Sequence, residues 1–411
     1  MNQIKSYSLW FRLGIFNLVL VAIWGTLMRY KIAFSLPFVD QKFLIHAHSH
    51  FAFTGWIAHI LYTGLAMVLA PYIDESKHKK YTRILILNLI SAYGMLIAFS
   101  LQGYKAASIT FSTLSLIVAG IYTYHFIKDS LKVPAEKAAF LPWARTGLMI
   151  NVFSSLGPFA LAYLMVSKNM DPLMVNSSIY FYLHFQYDGW FLFGAVALII
   201  ALLPKDFPSL ETYSHLWAIT IIPTYILSIL FWKFPLWLVL IAGISAAIQL
   251  YAWIMMIIRY VNYYKKKKVK DKVPSWLRFF FYTAAVCISL KFVLQLLSVL
   301  PGLTVLVFSC KPIIIGYLHL ILLGAYTFFI LAYSFHLGLL KSNSIAKFAT
   351  YLFFFGFFLN ELFLALQAST WVTHVFIPNG DKFLFVAAVT MLLGAIVLLI
   401  AQIKKEKMIS H

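Results

Sequence analysis

The sequence predicts an all-α, polytopic integral membrane protein with twelve transmembrane helices in a single domain, 1–411, and both termini in the cytoplasm. Three observations carry this. The composition is 62% apolar and only 11% charged, against about half apolar and a quarter charged in soluble domains. The apolar residues fall in long continuous runs of about 20, the length that crosses a bilayer core at 1.5 Å per residue. The basic residues gather in the breaks between those runs. A mean hydropathy of +0.85 agrees.

The runs can be justified in order from the residues that close them. The first, 9–29, follows Lys5, contains Arg12 and has no small-residue cleavage site, so it reads as a helix rather than a removed signal peptide. Run 44–70 is closed by Lys77, Lys79, Lys80 and Arg83, and run 81–101 by Lys105. Run 106–127 ends at Lys128, Lys132 and Lys137, and run 140–166 at Lys168. Run 176–203 is followed by a short break, and 214–232 is closed by Lys233. Run 236–258 meets the Lys265–Lys268 cluster with Lys270 and Lys272. Runs 277–299 and 312–339 flank Lys311, and Lys341 and Lys347 precede and open 345–367. The last, 383–403, ends at Lys404, Lys405 and Lys407. The runs are numbered below as helices 1 to 12.

Most basic residues lie in the even-numbered breaks and at the termini, and the odd-numbered breaks hold single ones. The positive-inside rule puts the richer side in the cytoplasm, of a bacterial inner membrane. The net charge of +20 therefore belongs to loops at anionic headgroups, not to a nucleic-acid surface. Two cysteines, Cys287 and Cys310, exclude a disulfide scaffold, and no Cys-x-x-Cys-His exists for covalent haem attachment. The long runs also exclude a short-strand β-barrel.

Ionisable residues inside spans are costly and mark functional sites. Helix 2 opens Ile45-His46-Ala47-His48-Ser49-His50-Phe51, helix 6 carries Leu183-His184-Phe185-Gln186-Tyr187-Asp188-Gly189-Trp190, and helix 10 carries Gly316-Tyr317-Leu318-His319 and then Gly324-Ala325-Tyr326. All three helices enter from the outside, which sets the five histidines roughly 6–12 Å below the outer surface. At 100° per residue His46 and His50 share one face of helix 2, and His48 points away from it. His59 returns to the His48 face, about 16 Å deeper. His184 and Asp188, four apart, share a face and form a polar pair expected to point into the bundle near the helix 2 histidines.

The remaining histidines read as structural or solvated. His78, His125 and His411 fall in cytoplasmic loops or the tail, His215 and His336 at cytoplasmic helix ends, and His374 in the last outer loop with Asp381 and Lys382. Lys291 in helix 9 and Asn360 with Glu361 in helix 11 are buried polar candidates for a proton path or for helix-to-helix bonds. Imidazole clusters suit haem iron, copper or non-haem iron. Phe51, Phe53, Trp56, Phe181, Phe185 and Trp190 offer flat walls for a haem.

On these residues the chain resembles haem–copper oxidase subunit I and its nitric oxide reductase branch. It is also similar to NnrS-like twelve-span haem proteins, through the His-Ala-His opening of helix 2 and the late Leu-His…Gly-Ala stretch. The likeness implies a non-covalent b-type haem whose axial ligands are His319 and one of His46, His48 and His50, with Arg29 and Lys42 placed for its propionates. It implies copper or non-haem iron at His184, supported by Asp188, making His184, Asp188 and Tyr317 the catalytic candidates. The partners implied are the lipid bilayer, an electron-donor subunit or cytochrome, and nitric oxide or oxygen.

The chain departs from that family at two places. Helix 7 runs Ile221-Ile222-Pro223 to Phe231-Trp232 without outer histidines, and Tyr317 stands where the family places the high-spin haem ligand. The low-spin site is kept and the binuclear centre is incomplete, which favours electron transfer or gas handling over full oxidase turnover. The competing reading is a twelve-span secondary transporter without haem.

Overall fold

The computed structural model describes residues 2–267, 273–373 and 377–403. Lys268, Lys270, Lys272, His374, Lys404, Lys405, Lys407 and His411 lie outside the described residues. Every regular element among those described is helical, as hydrocarbon requires of a chain that must satisfy its own backbone. Eleven helices among them are long and apolar enough to cross a membrane, which makes this a multi-pass membrane protein.

Helix 1 spans Asn2–Phe34, helix 2 Gln41–Tyr72, helix 3 Glu75–Gln102 and helix 4 Ala106–Ser130. Helix 5 spans Leu141–Val166, helix 6 Pro172–Ile200 and helix 8 Leu236–Lys267. Helix 9 spans Ser275–Leu297, helix 10 Lys311–His336, helix 11 Ser344–Thr373 and helix 12 Gly380–Ile403.

Helix 7 differs from its expectation. Run 214–232 is helical only over Glu211–Ser228 and then tightens into a 3₁₀ turn at Leu230–Trp232. It begins Glu-Thr-Tyr-Ser-His, carries Pro223 internally and is not one of the eleven. Proline removes a ladder donor and crowds the preceding turn, and Lys233 reverses the chain at φ +53°. A short helix, Pro301–Ser309, not expected from the sequence, precedes helix 10.

Helices 2 and 6 are the most enclosed spans. With helix 10 they carry His46, His48, His50, His184 and His319 and share a second property. Each contains a π-helical turn that starts just past a histidine: Ala52–Ala58, Phe185–Phe191 and Leu320–Thr327. A π turn replaces i→i+4 bonds by i→i+5 bonds, disturbs the local carbonyl ladder and is frequent at functional sites.

Side chains bond the carbonyls of these turns. Asn17 Nδ2 donates to Gly55 O at 2.6 Å and Asn88 Nδ2 to Thr54 O at 3.1 Å. The Tyr326 hydroxyl donates to Tyr187 O. Thr327 Oγ1 donates to Leu322 O at 2.9 Å. A buried polar group left unpaired costs about 1–3 kcal/mol, so these bonds hold the turns in place.

Ion pairs gather at loops expected on the cytoplasmic side. Lys77 pairs with Asp129, and Lys132 lies 3.9 Å from Asp74. Lys267 pairs with Asp206, which also accepts from Tyr263 at 2.6 Å. The Ser76 hydroxyl, bonded to Asp74, holds that carboxyl below the usual range.

Candidate functional site: two polar clusters at the π turns

The first cluster lies between helices 1, 2, 10 and 11. His48 and His319 are each half-buried. His319 is within electrostatic reach of both His48 and Arg29. The outer halves of helices 2 and 10 barely touch each other. Below them Trp56 Nε1 donates to Thr327 Oγ1 at 2.9 Å and closes the gap.

Both rings are held at Nδ1. His48 Nδ1 donates to Val21 O at 3.1 Å, because a carbonyl can only accept. That fixes the tautomer and leaves Nε2 with its lone pair. Helix 1 can approach because residue 25 is glycine: a Cβ there would lie 3.2 Å from His48 Cε1. His319 Nδ1 lies 3.1 Å from the Asn360 amide, which also bonds Glu361 Oε1 at 2.9 Å. Arg29, partly exposed, is in electrostatic reach of Asp381 and Glu361.

His46 and His50 look elsewhere. His50 stacks on Phe99 with centroids 4.5 Å apart and planes 13° apart, and its Nε2 lies 3.2 Å from the Tyr104 hydroxyl. His46 meets Tyr104 edge-on at 4.6 Å. Both therefore face the end of helix 3, opposite to His48, as the 100° rotation requires. Lys42 is exposed and feels His46. His59 is fully buried on the helix 1 side, its ring 5.6 Å from Trp10 and its Nδ1 3.5 Å from Asn88.

The second cluster lies between helices 6, 7 and 9. His184 Nδ1 is 3.1 Å from Asp188 Oδ2 and its Nε2 is 2.9 Å from Ile221 O, beside the Pro223 break in helix 7. Lys291 Nζ is 2.5 Å from Asp188 Oδ1 and 2.6 Å from Gln295 Oε1. All four side chains are buried. The His184–Asp188 pair forms as the i,i+4 spacing predicts, but its bonded partners come from helices 7 and 9, and none is a helix 2 histidine. Tyr317 and Tyr326 on helix 10 are in electrostatic reach of Asp188, and Tyr317 packs edge-on to Tyr187 at 6.2 Å.

The sequence marks Lys291 and Asn360 as buried polar residues for a proton path or helix-to-helix bonds, without naming the partners. Their pairing with Asp188 and His319 was not legible, since one sequence gives depth but not which helices adjoin. No protein-family model matches the chain, and no curated protein matches it. Among the described residues, no three His, Cys, Asp or Glu side chains converge to hold a metal ion.

Proposed function

We propose that this chain is a twelve-span haem protein of a bacterial inner membrane, with both termini cytoplasmic, that carries electrons or handles nitric oxide or oxygen at one low-spin haem. Helix 7 is the short twelfth crossing in this reading. The observation that carries it is the pair His48 and His319, which stand on separate helices within electrostatic reach of each other and have their Nδ1 atoms already engaged.

The residues present fit a b-type haem. An axial histidine needs a free Nε2 and a ring fixed from behind, usually by a backbone carbonyl or carboxylate at the other nitrogen. Val21 O does this for His48. The Asn360 amide nitrogen donates to His319 Nδ1 and to Glu361 Oε1, which keeps the ring proton on Nε2. A haem at His319 requires this amide turned over, so that its oxygen accepts from Nδ1–H and Nε2 is freed. Arg29 is placed for a propionate, near the outer end of helix 1, where a charge keeps contact with water. A haem held there supplies a reversible one-electron couple and an iron whose ligands the protein sets.

His48 takes the place opposite His319 because His46 and His50 are occupied by Phe99 and Tyr104. An electron-donor subunit or cytochrome is the partner this reading requires. The transporter reading places its substrate site near the midplane at broken helices, whereas His48 and His319 sit in the first halves of helices 2 and 10. The test is spectroscopic. Protein purified after haem-replete expression is expected to show a Soret band and sharp low-spin bands on reduction, and haem-free protein would leave the transporter reading.

A further inference from the structure

We propose that the ammonium of Lys291 fills the place the family likeness gives to a second metal, so that His184, Asp188 and Lys291 form a metal-free polar site. The proposal stands on the donor set, and it goes beyond the haem reading without depending on it.

A metal ligand must present a lone pair. Both nitrogens of His184 are already engaged. Nε2 faces a carbonyl oxygen at 2.9 Å, which accepts only, so Nε2 carries a hydrogen. Nδ1 is occupied by Asp188 Oδ2 at 3.1 Å and by the Ser228 hydroxyl at 3.4 Å. Asp188 is engaged as well, because its other oxygen receives the Lys291 ammonium at 2.5 Å. Gln295, one turn along helix 9, takes a second ammonium hydrogen at 2.6 Å and holds the lysine head in place.

The charge arithmetic agrees. A divalent cation and a lysine ammonium next to one carboxylate repel each other across a few ångströms of low-dielectric interior. The chain supplies a cation to this carboxylate covalently from helix 9. The whole group is buried. A fixed ammonium has no open coordination position, so this site cannot bind and polarise a substrate as a Lewis acid does. It contributes a permanent positive charge and fixed donors beside Tyr317 and Tyr326, and chemistry at iron is left to the haem.

The experiment is elemental analysis of the full-length protein after copper- and iron-replete expression, with haem counted separately by its pyridine complex. Wild type is expected to hold no copper, and no iron beyond its haem. Cupric ion titrated into wild type should show no saturable uptake. The variant Lys291→His presents a third metal ligand in the lysine's place, and should take up about one equivalent of copper. Adding His184→Ala to it should abolish that uptake. One equivalent of non-haem metal in wild type, lost in His184→Ala, overturns the proposal. So does tight stoichiometric copper uptake by wild type, or a folded Lys291→His protein that binds none. Haem-free wild type would defeat the proposed function and leave these metal counts to be read on their own.

Discussion

Trp56 on helix 2 donates its indole N–H to the Thr327 hydroxyl on helix 10 at 2.9 Å, and so joins two of the three π-helical turns. Thr327 passes its own hydrogen to Leu322 O inside the second turn. One threonine therefore satisfies an indole from a neighbouring helix and a carbonyl of its own distorted turn.

Thr327→Val should be costly despite the similar shape. It strands the buried Trp56 N–H and the Leu322 carbonyl, each worth about 1–3 kcal/mol when unpaired. Thermal unfolding in detergent should show a clear drop in Tm. Trp56→Phe, which removes the donor instead, should cost less in hydrogen bonding. Equal Tm for wild type and Thr327→Val would mean that this tie contributes nothing.

Lys291→Met leaves Asp188 buried without its cation. Breaking a buried pair from one side costs about 3–5 kcal/mol, whereas replacing both partners by apolar groups can be nearly neutral. The double variant Lys291→Met with Asp188→Leu should therefore be more stable than Lys291→Met alone. Additive losses in a double-mutant cycle would show that the two groups do not interact.

The three histidines of helix 2 should separate cleanly. His48→Ala removes a proposed axial ligand, so the reduced protein should lose its sharp low-spin bands. His50→Phe keeps the ring stacked on Phe99, and His46→Phe keeps an aromatic edge for Tyr104, so both spectra should match wild type. Loss of the bands in His50→Phe with retention in His48→Ala would reverse the assignment.

Asn360 is expected to act on haem only through His319. Removing a group that orients a metal-ligating histidine typically costs 10–100-fold in affinity. Asn360→Ala should retain low-spin haem but release it more readily to apomyoglobin, with Glu361→Gln closer to wild type because its amide can still donate to Asn360. Identical haem-release rates in Asn360→Ala and wild type would remove Asn360 from the site.

Much of this was legible in the sequence, for physical reasons that differ by residue. Bilayer thickness makes a run such as 383–403 readable as a helix, Gly380–Ile403, without any neighbour. Run 214–232 fell short because Pro223 and a polar first turn weaken a span that length alone suggested. The rotation of 100° per residue gave His48 and the pair His46 with His50 opposite faces. It could not say which face met helix 1, because that depends on Val21 and Gly25, far away in sequence. The i,i+4 rule found His184 with Asp188, yet Lys291 is 103 positions beyond Asp188 and reaches it only through the packing of helix 9. The π turns leave no mark in composition, since Phe-Gln-Tyr-Asp-Gly-Trp-Phe reads like any apolar stretch with a polar pair.

The most direct test of the central claim is the reduced-minus-oxidised absorption spectrum of His319→Ala beside wild type. Both proteins should come from haem-replete cells and show matched insertion in the membrane. His319 is the only histidine in the outer half of helix 10, so no neighbour can replace it. The account predicts sharp low-spin bands in wild type and their loss in the variant, with Asp188 and Lys291 unaltered. An unchanged low-spin spectrum in His319→Ala, or no haem in either protein, would contradict it.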